Sequence, residues 1–271
     1  MKGTGSPQRI NPLVLFPGIG ERTIRLVNNL GAMAIFFLLA FINIFRRRQF
    51  REIVNQVYYI GATSSLIVML VGLFTGMVLG LQLFYTLVKF GSVGALGTAV
   101  SLSLIREMGP VLTAVMITAR AGSGIAAEVG VLRMSEQIDA LYTMGVDPVR
   151  YLISPRIAAS IISFPLLTAF FDLIGIIGGY VTGVLLLGTH EGTYFYRVQS
   201  SITMVDIRGG FIKALVFAVI VSTICCFQGY FCHMRPGGYG SKAIGLATVS
   251  AVVLSCVMIL VADYVVTSFI M

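Results

Sequence analysis

Five runs of apolar residues, each about 20 residues or longer, leave this chain few folds to choose from. They cover roughly residues 57–84, 94–119, 157–187, 210–231 and 246–270. With 57% of 271 residues hydrophobic and a mean hydropathy of +0.93, no soluble core could hide the apolar surface. The runs are continuous rather than alternating, which excludes a transmembrane barrel. The expected fold is an all-α polytopic membrane protein. Pro7, Pro12 and Pro17 interrupt the first twenty residues, so no cleavable signal peptide is expected there.

Charge sets the orientation. Eight of the nineteen basic residues precede residue 52, and Arg46, Arg47, Arg48 and Arg51 stand just before the first run, which places them in the cytoplasm. Counting spans onward puts 120–156 and 232–245 on the same side, with Arg120, Arg133, Arg150, Arg156, His233, Arg235 and Lys242. The segments 85–93 and 188–209 fall on the opposite side, where Arg197 and Arg208 are offset by Glu191 and Asp206. The net charge of +8 thus reflects membrane orientation, and no nucleic-acid partner is expected. Residues 30–45 are apolar but interrupted by Asn43 and flanked by arginine at both ends. They are read as an interfacial or re-entrant helix that does not cross, with a sixth span as the alternative.

Residues 128–150 are a polar insert in an otherwise apolar chain. Glu107, Glu128, Glu136, Asp139 and Asp147 supply five of its eleven acidic residues. Ser135 reads as an N-cap, with Glu136 and Asp139 in the first helical turn. Ile138, Leu141 and Tyr142 share a face, Gly145 ends the helix and Asp147-Pro148 keeps it from resuming. The result is a short amphipathic helix over about 135–148, on a loop between the second and third spans, suited to docking into another protein.

Arg106 and Glu107 interrupt the second span and precede Gly109-Pro110, which should kink the helix. Ionisable groups at membrane depth cost about 2.5–3.5 kcal/mol each, so they normally face protein or a wet cavity. Successive helical residues diverge by about 100°, so one of the pair is expected at a cavity and the other between helices. Asp172 and Asp263 read as isolated acids. Gly72, Gly76 and Gly80, and Gly175, Gly179 and Gly183, form two stripes that allow close helix contact, within one chain or across a dimer seam.

Enzyme machinery is absent from the pattern. There is no Gly-x-x-x-x-Gly-Lys-Ser/Thr loop to bind ATP. Ala121-Gly122-Ser123-Gly124 has neither His190 nor His233 within obvious reach, so it reads as helix packing rather than an activated serine. Cys225, Cys226, Cys232 and Cys256 form no Cys-x-x-Cys pair and read as buried free thiols, with no metal or other cofactor expected.

Three segments, GMVLGLQ (76–82), LIREMGPVLTAVMITARAGSGIAAEVG (104–130) and EQIDALYTMGVDPVRYLISPR (136–156), resemble the MlaE/YrbE-type permeases, the membrane subunits of Mla/Mce-family lipid ABC transporters. Met108 stands where that pattern usually has leucine. The resemblance implies a homodimer in the bacterial inner membrane, each chain having an N-terminal interfacial segment (1–51) and a five-span permease domain (52–271). It implies a cytoplasmic ABC ATPase that binds and hydrolyses the ATP, a periplasmic Mce-domain protein, in some systems a small STAS-type subunit, and a phospholipid substrate. By matched position, Glu136, Gln137, Asp139, Leu141, Met144 and Asp147 would couple to the ATPase. Leu79, Gln82, Tyr85, Phe90, Arg106 and Glu107 would contact lipid. The competing classes are an ion-coupled carrier of an amphiphilic solute, which needs paired acids in the membrane, and an intramembrane hydrolase.

Overall fold

A computed structural model describes residues 31–40, 50–234 and 240–270. Its helices are α1 (Gly31–Ala40), α2 (Phe50–Lys89), α3 (Val93–Met134), α4 (Gln137–Thr143), α5 (Val149–Leu186), α6 (Glu191–Ser201), α7 (Met204–Tyr230) and α8 (Ser241–Ile270). Among the described residues there are no strands, and α2, α3, α5, α7 and α8 are long and apolar enough to cross a membrane. The readings that rest on Arg46 to Arg48 and on Arg235 lie outside the described residues.

Every span is longer than its apolar run. The 42 residues of α3 rise about 63 Å, twice the ~30 Å of bilayer hydrocarbon. Hydropathy marks where apolar side chains stop, but the backbone ladder runs on into polar residues, so α3 projects beyond the hydrocarbon toward α4. On the opposite side, the segment 188–209 contains α6. Tyr194 and Val198, one turn apart, turn inward, and the buried Tyr194 hydroxyl donates to the Ile176 carbonyl at 3.0 Å.

Helix α1 has ten residues and rises about 15 Å, half a membrane. It lies at the α4 end of the bundle. Phe36 packs against Phe227, Tyr230 and Phe231 with ring centroids 5.6–6.3 Å apart, and Ser154 Oγ donates to the Ala40 carbonyl at 2.8 Å. A non-crossing helix is what the symmetric arginine flanks imply; residues 41–45 of that segment lie outside the described residues.

Both glycine stripes are spent inside the chain. A Cβ on Gly76 would coincide with the Gly175 carbonyl, one on Gly72 would lie 2.9 Å from the Phe171 carbonyl, and one on Gly80 would lie 3.3 Å from Gly179 Cα. Helices α2 and α5 therefore meet backbone to backbone, and neither stripe is left for a dimer seam. The Ala121-to-Gly124 segment is packing as well. Gly122 abuts Cys225, Gly124 abuts Tyr59, and Ser123 Oγ donates to the Ala119 carbonyl at 2.6 Å. The four cysteines are free thiols, three of them buried.

Candidate functional site

Pro110 has no N–H, so the Arg106 carbonyl four residues earlier loses its helical partner. The helix does not break there. It widens into a π turn over Leu104–Met108, and Lys213 Nζ of α7 donates to the orphaned Arg106 carbonyl at 2.9 Å. Lys213 is 3% exposed and also pairs with Glu107 Oε2 at 2.6 Å and Asp263 Oδ1 at 3.1 Å. Asp206 works twice. Its Oδ2 accepts from the Thr203 N–H at 2.9 Å and the Thr203 hydroxyl at 2.7 Å, completing the capping box of α7. Its Oδ1 accepts from Arg106 Nε at 2.7 Å. The other two Arg106 nitrogens make no hydrogen bond among the described residues.

These groups surround a cavity of about 170 Å³ lined by Arg106, Glu107, Asp206, Lys213, Thr267 and Ile270, among others. It lies toward the end opposite α4, at the start of α7 and the end of α8. Two expectations change here. Arg106 and Glu107 both line the cavity, because it opens between the two directions in which they diverge and α7 offers each a partner, Asp206 and Lys213. Asp263 is not isolated, since it shares Lys213 with Glu107. Asp172 is isolated: its half-buried side chain places an inaccessible Oδ1 with no partner among the described residues against Gly109.

Leu79, Gln82, Tyr85 and Phe90 are elsewhere. None lines this cavity. Leu79 borders a shallow apolar groove on α2 with Leu70, Phe74 and Val78, while Gln82, Tyr85 and Phe90 are exposed. Lys213, Asp206, Asp263 and Thr267 belong to the charged site; the sequence reading does not name Lys213 or Thr267, and takes Asp206 for an outer-side charge and Asp263 for an isolated acid. A lysine inside an apolar span was the available signal.

At the other end, α4 is a seven-residue helix, shorter than 135–148. Ser135 does not cap it; its hydroxyl donates back to the Val131 carbonyl at 2.8 Å and finishes α3. The N-cap is Glu136, held at φ 60°, a left-handed conformation rare outside glycine. That kink folds α4 back onto the bundle. Gly145, at φ +73°, ends it as expected, and Asp147 Oδ1 accepts from the Val149 N–H at 3.0 Å to begin α5.

The apolar face of α4 points inward. Ile138 is fully buried, Leu141 is half-buried, and the Tyr142 hydroxyl lies 2.9 Å from that of Tyr230. Asp139 is tied to Arg133 at 2.7 Å. Glu136, Gln137 and Met144 remain outward, Met144 being 66% exposed. Of the six residues matched to coupling, Asp139 and Asp147 are exposed as well, and Leu141 is half-buried.

Five spanning helices, a charged cavity between them and a short helix carried on the loop after the second span together define a multi-pass membrane permease. Residues 53–269 match the family described as Permease MlaE, and the chain belongs to that family. It is 41% identical over 250 residues to a probable ABC transporter permease protein of Rickettsia bellii, covering 92% of this chain and 95% of the relative. It is 42% identical over 223 residues to the intermembrane phospholipid transport system permease protein MlaE of Haemophilus influenzae, covering 82% and 84%. A chloroplastic protein of Arabidopsis thaliana, TRIGALACTOSYLDIACYLGLYCEROL 1, is 33% identical over 219 residues, covering 81% of this chain and 61% of that protein.

Proposed function

We propose that this chain is the membrane subunit of an ABC transporter of the bacterial inner membrane that moves phospholipid to or from an Mce-domain partner. A separate ATPase docks on the outward face of α4 and drives it. The Haemophilus relative is named for intermembrane phospholipid transport, which supports the substrate class. The observation that carries the reading is the cavity at Arg106. Pockets for whole small molecules run to about 300–1,000 Å³, so 170 Å³ suits a headgroup and not an entire lipid. Arg106 offers it two nitrogens unengaged among the described residues, and guanidinium binds phosphate oxygens through a planar fork. Acyl chains would run along the apolar surface outside. In this reading the chain works as a homodimer, and the α2 groove bordered by Leu79, together with Gln82, Tyr85 and Phe90, faces a lipid path completed by the second copy. A STAS-type subunit would belong to the same assembly.

Arg106→Ala tests the headgroup role. Phospholipid recovered with the purified permease is expected to fall about tenfold, the worth of one charge-assisted hydrogen bond. Arg106→Lys should restore only part, because it keeps the charge and can still reach Asp206 but loses the fork. Unchanged phospholipid in Arg106→Ala would place the headgroup elsewhere.

A further inference from the structure

One side chain at the α4 end touches three separate elements. Arg133, in the last turn of α3, donates from Nη1 to Asp139 Oδ1 of α4 at 2.7 Å. Its Nε donates to His233 Nδ1 at 3.1 Å, in the turn after α7. Its guanidinium carbon stands 5.7 Å from the ring centroid of Tyr230, the last residue of α7, and Tyr230 meets Tyr142 of α4 through their hydroxyls. The Arg133 side chain is 17% exposed. Beneath it, Ile138 is the fully buried residue of α4.

We infer that Arg133 is a positioning residue, a latch through which displacement of α4 passes to the ends of α3 and α7. This rests on the proposed docking of an ATPase at α4. Without Arg133, α4 would keep Ile138 and the tyrosine pair but lose its charged tie to α3 and, through His233, to the turn after α7. Movement imposed on α4 would then be absorbed locally instead of shifting α7, whose far end holds Asp206 and Lys213 at the cavity.

His233 gives the latch a chemical signature. Arg133 Nη2 also lies 3.3 Å from His233 Nε2, and a neutral imidazole has one nitrogen able to accept. Protonated His233 has none and would repel the guanidinium. Burial, then the nearby Arg133 charge, holds His233 below its usual 6.5, against the opposing pull of the Tyr230 backbone and Asp139. The groups facing it are Arg133 from α3, Asp139 from α4 and Tyr230 from α7; Lys242 is the ionisable residue at the near end of α8. Because the folded value is depressed, the latch is complete above about 6.5 and is lost as the pH falls through the lowered value.

The test uses the permease assembled with its ATPase in proteoliposomes, scored as fluorescent phosphatidylethanolamine transferred per ATP hydrolysed. Arg133→Gln is expected to lower that ratio about tenfold while the ATPase still co-purifies. Wild-type transfer per ATP should hold at pH 6.5 and fall as the pH drops through the lowered His233 value, and His233→Gln, which accepts but cannot be protonated, should remove that acid limb. A normal ratio in Arg133→Gln, loss of the ATPase from it, or an unchanged acid limb in His233→Gln overturns the latch. Failure of the docking reading looks different: the ATPase would stay bound and coupled when Glu136 and Met144 on the outward face are replaced.

Discussion

Gly76→Ala should prevent the permease from folding to its native packing, although it adds one methyl group. The new Cβ would fall on the Gly175 carbonyl, and a backbone atom cannot rotate away as a side chain can. Overpacking a tight contact costs about 1–3 kcal/mol and more when the backbone must shift. Here α2 and α5 would have to separate along the Gly72, Gly76 and Gly80 line. Gly245→Ala is the matched control, because nothing lies within 4 Å of its added Cβ on α8. Size-exclusion profiles after graded heating should show Gly76→Ala aggregated or absent and Gly245→Ala like wild type. A monodisperse Gly76→Ala protein of normal thermal stability would mean that α2 and α5 do not meet at this line.

Lys213→Met should be nearly as damaging, for an electrostatic reason. It leaves Glu107 and Asp263 facing each other without their shared cation and removes the Lys213 hydrogen bond to the Arg106 carbonyl. Removing one partner of a buried ion pair costs about 3–5 kcal/mol, since the remaining charge stays desolvated. Lys213 itself is buried, but Glu107 and Asp263 keep some exposure, so the lower end of that range is expected. Adding Asp263→Asn to Lys213→Met removes one stranded charge and should recover part of the lost thermal stability. If the double variant is no more stable than Lys213→Met alone, Lys213 and Asp263 are not energetically coupled.

The elements that could be read from sequence have local causes. The spans follow from apolar length, the end of α4 from Gly145, and the irregularity in α3 from Pro110. The charged cavity is a long-range object. Arg106 and Glu107 stand out because ionisable residues are rare in such a run, but their partners are about a hundred residues away and belong to helices whose relative rotation no local pattern specifies. Asp206 shows the difficulty. Charge counting assigns it to an outer loop, whereas it caps α7 and holds Arg106. The amphipathic pattern of α4 was visible in the sequence. Within the chain itself, Ile138 is buried, Leu141 is half-buried and the exposed Tyr142 reaches Tyr230 through its hydroxyl. Periodicity shows that a face will be buried and is silent on what buries it.

The central claim is that phospholipid movement through this permease is driven by an ATPase seated on α4. It is tested most directly by reconstituting the permease with its ATPase and following a fluorescent phospholipid, with wild type compared against Glu136→Lys/Met144→Asp. Both residues are exposed, and neither side chain makes an ion pair among the described residues, so the bundle should fold normally. The account predicts that wild-type transfer requires hydrolysable ATP, and that the double variant loses the ATPase and transfers at background rate. Transfer that proceeds without ATP under an ion gradient, or that survives unchanged in the double variant, would contradict it.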